Sequence, residues 1–545
     1  MSSWWNEAVF YQVCLRSFQD SNGDGIGDLR GLVDRLDYLQ ELGINAVWVT
    51  PFYESPHVDF GYDVSSHKDI DSRYGNMSDF EDLISEANKR NLKIVVDIIL
   101  NHTSDQHPFF IESRRSRTSS KRDWYIWREG KPDGSPPNNW EGFELSTWTF
   151  DPKTNQYYYH FHYHEQPDLN WRNPAVVEEM FSICDFWLNK GVAGLRLDAI
   201  NYLVEDPQLL DNPILDKVPD YLRNIYQFNQ DPIHTINHPD NHKILKKLRH
   251  HIKNNHKDDP LLIGEIWAPN FYEIRRFYGE NDDEIQLPFN FFLSTLPQGN
   301  AHYFREMIVE FQQILGDLPT TLVLSNHDFE RATSRYATEE NSDAMAKLLA
   351  TLLLTLRGIP FIYYGEELGL RDCPPETIEE VQDPRGRIRW PDYKGRDGCR
   401  TPMPWNSQPQ AGFTTGQPWY KLNPDYRTRN VAVQTDDPNS VLNHYKNLLK
   451  LRRHWLPLSL GQLTILEDDP KILAYVRSYE DQNTLIALNM SNDSTQFSLA
   501  KLPHKQNSSW KILLSTHVQS KDKIIKDIEE TLTLNPFEGI VVVPI

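Results

Sequence analysis

The chain has 545 residues, of which 39% are hydrophobic and 12% aromatic, and a formal net charge of −21. That is enough apolar content for a packed core and enough length for two or three domains of about 150 residues each. The acidic balance argues against nucleic acid and against an anionic membrane surface, since both recruit basic patches.

The basic run KKLRHHIK at 246–253 falls in a helix-like stretch and reads as a solvated face. No window approaches the roughly 18 uninterrupted apolar residues of a membrane span. The N-terminus MSSWWNEAVFYQ shows no basic or apolar leader region, and the four cysteines are scattered without metal-binding spacing. Free thiols in the cytoplasm are therefore expected. The many aromatics suit either sugar sites or large-enzyme core packing.

In chain order, near-continuous apolar runs occur at AVFYQVC (8–14), INAVWVT (44–50), KIVVDIIL (93–100), VAGLRLD (192–198), PLLIGEI (260–266), EIQLPFNF (284–291), TTLVLSN (320–326) and IPFIYYG (359–365). Such runs are expected of parallel strands buried on both faces. Amphipathic stretches separate them. LRGLVDRLDYLQELG (29–43) has apolar residues at 29, 32, 36 and 39, which predicts one helix. Strands alternating with helices predict an α/β fold, a (β/α)8 TIM barrel, with residues 1–100 as its first part and 172–457 as its second. Residues 101–171, rich in Trp, Pro, Asn and Asp, follow the third strand and read as an inserted small domain. The long loop 366–437 follows the last strand, and loops of this length are functional or disordered. Short strands at ILAYVRSY (472–479), NTLIALNM (483–490), QFSLA (496–500) and GIVVVPI (539–545) predict a separate all-β sandwich at 458–545.

The loop DSNGDGIGD (20–28) places oxygen side chains at alternate positions around glycines, a pattern suited to a hard cation. An EF-hand would need Glu at the twelfth position, where this chain has Gly31, and a helix where AVFYQVCLRSF reads as a strand. Another fold owns this loop.

In a barrel, the carboxyl ends of the strands converge on one mouth. The residues there are Asp97 on the third strand with Asn101 and His102 at its end, Arg196 and Asp198 on the fourth, Glu265 on the fifth, and His327 and Asp328 after the seventh. Asp59, Tyr62 and Asp63 follow the second. Asp97 and Asn101 read as braces of the mouth. Three carboxylates at one mouth (198, 265 and 328) raise one pKa and leave the others ionised. Glycoside hydrolysis needs that arrangement: a protonated acid for the leaving oxygen and a carboxylate for the oxocarbenium-like centre.

The motifs DIILNH (97–102), GLRLDAI (194–200), GEIW (264–267) and LSNHD (324–328) resemble the four signature regions of glycoside hydrolase family 13, the α-amylase family. QPDLN (166–170) and RTPMPW (400–405) resemble its oligo-1,6-glucosidase and α-glucosidase branch. The likeness runs from Trp4 to the last residues. It implies that Asp198 is the nucleophile, Glu265 the acid and then the base, and Asp328 the carboxylate that grips ring hydroxyls. The configuration is retained, with the first two carboxyls about 5–5.5 Å apart. Arg196, two residues earlier on the same strand face, holds Asp198 ionised. His102 and His327 resemble donors to the sugar, Tyr62 its stacking platform, and Asp59 with Arg400 the pair closing the blind end of the pocket. The loop after the first strand resembles a structural Ca²⁺ or Mg²⁺ site, with side-chain ligands Asp20, Asn22, Asp24 and Asp28 and the carbonyl of Ile26.

In the family, Val after the nucleophile accompanies α-1,6 cleavage, and a smaller residue or Thr accompanies α-1,4. Here the residue is Ala199, a gap worth roughly 1–3 kcal/mol of selectivity. The resemblance thus implies an exo-acting α-glucosidase for short substrates such as maltose, with transglycosylation. His162 stands where relatives carry Phe, either packed or facing the acceptor site, and 204–217 shapes that site. An oligo-1,6-glucosidase, a sucrose- or trehalose-directed enzyme and a non-catalytic amylase-like binding protein are the alternatives. The chain's state, monomer or homodimer, stays open.

Overall fold

A computed structural model describes residues 3–217, 229–466, 469–498, 509–525 and 531–545. Its central sheet has eight parallel strands: β1 (Phe10–Val13), β2 (Ala46–Val49), β3 (Lys93–Ile99), β4 (Gly194–Asp198), β5 (Leu261–Glu265), β6 (Leu287–Phe289), β7 (Thr321–Val323) and β8 (Ile359–Tyr363). They pair in the order β6-β5-β4-β3-β2-β1-β8-β7. Side chains close the ring between β6 and β7: the Asn290 amide donates to Thr321 Oγ1 at 3.1 Å, and that hydroxyl donates to Pro288 O at 3.3 Å.

Alternation along each strand explains the unbroken apolar runs. Phe10, Trp48, Val95, Ile263, Phe289 and Phe361 fill the barrel interior. Their neighbours Tyr11, Val47, Val96, Leu262 and Ile362 face the surrounding helices. The interior is a packed core, so chemistry is confined to the mouth.

The helix predicted over 29–43 is two helices, Leu29–Asp34 and Leu36–Leu42, because Arg35 leaves the helical region (φ −109°, ψ 5°). Its guanidinium donates to Gln19 Oε1 at 2.7 Å and lies 4.0 Å over Trp405. Apolar spacing continues across the break, so periodicity alone does not reveal it.

Within 101–171 the strands Trp127–Arg128, Gln156–Tyr159 and Trp148–Asp151 form a three-stranded antiparallel sheet. The segment 204–217 packs on it: Trp140 Nε1 donates to Leu210 O at 2.7 Å, and Asn139 Nδ2 to Asn212 O at 2.9 Å. The loop 366–437 is ordered by short helices, including Pro384–Arg389 and the turn Asp397–Arg400.

Beyond the helix Val441–His454, six strands form one antiparallel sheet and Thr495–Ser498 pairs with Thr531–Leu534 in a second. Phe497, Trp510, Leu532 and Leu534 pack between the two. The last two residues of the QFSLA run lie outside the described residues. Among the described residues, no helix is long and apolar enough to cross a membrane. Cys14, Cys184 and Cys399 are buried free thiols, and Cys373 is half-buried.

Candidate active site

β4 carries Arg196 and Asp198 two residues apart, so both side chains project from one face. Arg196 is fully buried. Its Nη1 lies 2.7 Å from Asp97 Oδ1 and 2.6 Å from Asp198 Oδ1, and its Nη2 lies 3.0 Å from Glu265 Oε2. Asp97 also accepts from Trp48 Nε1 at 2.8 Å. One guanidinium thus serves three carboxylates from adjacent strands, and the charge count favours a proton on one of them. Burial pushes Glu265 up to about 8; Arg196 opposes this, and the charges of Asp198 and Asp328 add to it. Burial raises Asp198 to about 6, with Arg196 pulling the other way. Of the two carboxyls Glu265 therefore holds its proton more firmly, and Asp198 gives its proton up first.

Ala199 sits in the left-handed region (φ 51°, ψ 36°), which a residue with a Cβ seldom occupies. The bend aims its backbone N–H at Glu265 Oε2, 3.1 Å away. Strain of this kind persists where the surroundings impose it, often at functional sites. Reading Ala199 for its side chain alone misses this backbone contact.

Asp328 Oδ1 accepts from Arg396 Nη1 at 3.0 Å and from Arg400 Nη2 at 3.1 Å. Burial works against its ionisation, but His327 and these two arginines hold its carboxyl well below the usual range. Burial holds His327 itself neutral, down at about 3, so the permanent charge is the arginines'. The His327 ring stacks on Tyr62 at 5.4 Å, and Nε2 lies 2.6 Å from the Tyr62 hydroxyl. Gln12 Nε2 lies 2.7 Å from Nδ1, and the Tyr62 hydroxyl reaches Asp97 Oδ2 at 3.3 Å. A consistent chain of donors runs from Gln12 through His327 and Tyr62 to Asp97. His102 Nε2 sits 3.2 Å from Tyr62 O.

The expected Asp59–Arg400 pair is corrected by the structure. Asp59 takes its ion pair from Arg396, at 2.6 Å, while Arg400 turns to Asp328 and donates Nε to His327 O at 2.7 Å. Arg396 is anchored by Asp383, whose Oδ2 accepts from its Nε at 2.9 Å and whose Oδ1 lies 2.8 Å from Nη2. Asp383 is fixed as the N-cap of Pro384–Arg389. The backbone brings Arg396 inward ahead of the turn Asp397–Arg400, so the nearer cation wins Asp59. Asp63 accepts from the Val58 and Asp59 amides and steadies that loop.

Asp59, Tyr62, His102, Asp198, Glu265, His327, Asp328 and Arg396 line a cavity of about 950 Å³. Phe143 and His162 from the inserted segment, Tyr202 after β4 and Arg385 from the long loop line it together with Asp198 and Glu265. His162 therefore faces the cavity as well as packing, with its ring 5.0 Å from His102 and 4.7 Å from Phe143.

The loop 20–28 lies apart from this cavity. Asp20 Oδ1 accepts from the Asn22 and Gly23 amides, and Oδ2 from Gly25 N and Thr414 Oγ1. Asn22 Oδ1 accepts from Asp24 N and Asp24 Oδ1 from Ile26 N, while Asp28 caps the following helix at Gly31 N. Gly23 and Gly25 take left-handed conformations. The oxygens at 20, 22 and 24 are turned back onto the amides of their own loop.

The barrel and the carboxylates at its mouth place the chain among enzymes that work through paired carboxylates. Residues 12–459 match the family profile described as alpha amylase, catalytic domain, and 463–539 match the maltogenic amylase C-terminal domain. The chain belongs to the α-amylase family of glycoside hydrolases. It is 41% identical over 503 residues to a probable alpha-glucosidase of Rhizobium meliloti (strain 1021), covering 90% of each chain. It is 37% identical over 567 residues to an oligo-1,6-glucosidase of Parageobacillus thermoglucosidasius, covering 98% of each. Among solved structures, the alpha-glucosyl transfer enzyme XgtA aligns with a TM-score of 0.91 at 35% identity, covering 100% of both chains.

Proposed function

We propose that the protein is an exo-acting, retaining α-glucosidase that releases α-glucose from the non-reducing end of short α-1,4-linked sugars such as maltose. A second sugar competes with water as acceptor. The observation that carries this reading is the Asp198–Arg196–Glu265 unit, in which one buried guanidinium lies 2.6 Å from one carboxyl and 3.0 Å from the other. Asp198 attacks the anomeric carbon while Glu265 protonates the departing oxygen. Glu265, now ionised, takes a proton from water or a sugar hydroxyl, which displaces Asp198. Two inversions return the α configuration. Asp328, kept anionic, grips ring hydroxyls, and the Asp59–Arg396 pair closes the end of the pocket around one terminal glucose. Tyr62, His102, His327 and Arg400 complete the sugar's surroundings.

The Ala199 side chain favours the α-1,4 reading. The full-length likeness to an oligo-1,6-glucosidase and the placement of His162 on the cavity wall favour the second reading, α-1,6 cleavage. Initial rates on maltose, isomaltose, sucrose and trehalose separate them. Fast maltose with slow isomaltose is expected; the reverse order would overturn the α-1,4 reading, and preferred sucrose or trehalose would redirect both. Trisaccharide formation at high maltose measures transfer.

We further infer a structural Ca²⁺ or Mg²⁺ held by Asp20, Asn22, Asp24, the Ile26 carbonyl and Asp28. Such an ion would neutralise the loop's acidic side chains and stiffen the first β-to-α turn. Chelation should lower the melting temperature, and added Ca²⁺ or Mg²⁺ should restore it. An unchanged melt would remove the ion from the account.

A further inference from the structure

One wall of the cavity carries a cluster that joins His102, already placed beside the sugar, to His162 and Asp168, to which the sugar chemistry above gives no step. A ring nitrogen of His102, a ring nitrogen of His162 and a carboxylate oxygen of Asp168 all lie within 4.8 Å of one another. The three residues are buried, with exposures of 1%, 8% and 2%. Among the described residues, two of their polar atoms find no hydrogen-bond partner: Nδ1 of His162 and Oδ2 of Asp168. Leaving such groups unpaired away from water is costly, so a partner there is favoured.

The donor set has a definite chemistry. His102 places Nε2 3.2 Å from the Tyr62 carbonyl, so Nε2 carries the proton and Nδ1 keeps its lone pair. An N–H given to a backbone carbonyl is how metal-bound histidines are oriented. The contact from Asn101 Nδ2 to His102 Nδ1 is long, 3.4 Å, and is the bond a metal would displace. Asp168 Oδ1 accepts from the Phe161 amide at 3.2 Å, which leaves Oδ2 to face the cluster. A second cluster on the same segment is a useful contrast. Glu144, His164 and Glu165 also lie together, but His164 is already paired to both carboxylates at 3.0 Å.

We propose that His102, His162 and Asp168 form a binding site for a divalent transition-metal ion of the zinc class, and that an ion there blocks the sugar site. Two neutral imidazoles and one carboxylate suit this class rather than Ca²⁺ or Mg²⁺. His102 and His162 line the cavity, so a fourth coordination position opens toward it. A bound ion would occupy His102 and stand in the pocket, which makes it a competitive inhibitor. The blocking half rests on the reading of this pocket as the glucose site; the binding half does not.

Co²⁺ is the probe, because its visible absorption reports tetrahedral N/O ligation directly. The metal-stripped full-length enzyme should bind one Co²⁺ with such a band, displaced by Zn²⁺. His162→Phe and Asp168→Asn should each weaken binding by at least roughly 10- to 100-fold, and His164→Ala should leave it unchanged. Circular dichroism and melting check that each variant folds; either ligand variant suffices if the other does not. In parallel, Zn²⁺ should raise the KM for maltose without lowering kcat, and His162→Phe should abolish that effect. Wild-type Co²⁺ binding in both ligand variants, or its loss in His164→Ala alone, would overturn the site. Binding without a change in KM would overturn the blocking. If maltose is not hydrolysed, the Co²⁺ spectra still decide the site, and only the glucosidase reading fails.

Discussion

Arg196 sets the chemistry at the residue scale. Its two terminal nitrogens hold Asp97 and Asp198 on one side and Glu265 on the other, all out of water. On the proposed mechanism activity needs Asp198 without its proton, so kcat/KM should rise with pH through about 6. It needs Glu265 with its proton, so kcat/KM should fall through about 8. The two limbs belong to the pair rather than to either residue alone. A pH profile of kcat/KM on maltose checks this, and a flat profile between pH 5 and 9 would contradict it. Asp198 and Glu265 were legible in the sequence because each ends a hydrophobic strand whose neighbours pin its place in the barrel. The left-handed turn at Ala199 was not legible, since Gly or Asn would have signalled it and Ala does not.

At the scale of elements, the long loop 366–437 does what the strands cannot. It carries Arg396 across the mouth to Asp59 from the second β-to-α loop, Asp328 after β7 and its own Asp383. Arg396→Ala would leave three buried or nearly buried carboxylates short of their cation, at a cost of about 3–5 kcal/mol. Arg396→Lys keeps the charge but not the fork that reaches three partners. We expect Arg396→Lys to melt near wild type with a raised KM and Arg396→Ala to melt well below it. Equal melting of all three proteins would remove Arg396 from its bridging role. Sequence pointed to Arg400, because it opens a recognisable motif. Several arginines crowd this loop (385, 387, 389, 396 and 400), and only the path from the Asp383 cap decides which one turns inward. The break at Arg35 escaped for a related reason: periodicity reports faces, not the dihedral of one residue.

At the scale of the whole molecule, barrel and C-terminal sandwich share a core. Leu473, Tyr475, Ile486 and Leu488 of the C-terminal sheet belong to the same apolar cluster as the barrel helices. Arg477, fully buried, donates to Gly461 O at 2.8 Å and to Thr355 O at 2.5 Å, and Arg452 donates to Leu354, Gly358 and Leu458 carbonyls. Composition and strand pattern separated the two parts, but not this junction, since a buried arginine on an amphipathic strand looks like a solvated one. We expect a single calorimetric transition for barrel and sandwich. Arg477→Ala should lower stability by about 1–3 kcal/mol for each carbonyl left unpaired. Two resolved transitions in the wild type would mean that the junction does not couple the parts.

The central claim is that Asp198 carries the sugar through a covalent intermediate. Reaction with a 5-fluoro-α-glucosyl fluoride, which slows breakdown of the intermediate, followed by peptide mapping, tests it most directly. The expected result is one glycosyl group on Asp198, absent from Asp198→Asn, which should fold normally and turn over roughly 10⁴-fold or more slowly. A label on another carboxylate, or an unlabelled enzyme that still hydrolyses the reagent with net inversion, would contradict the account.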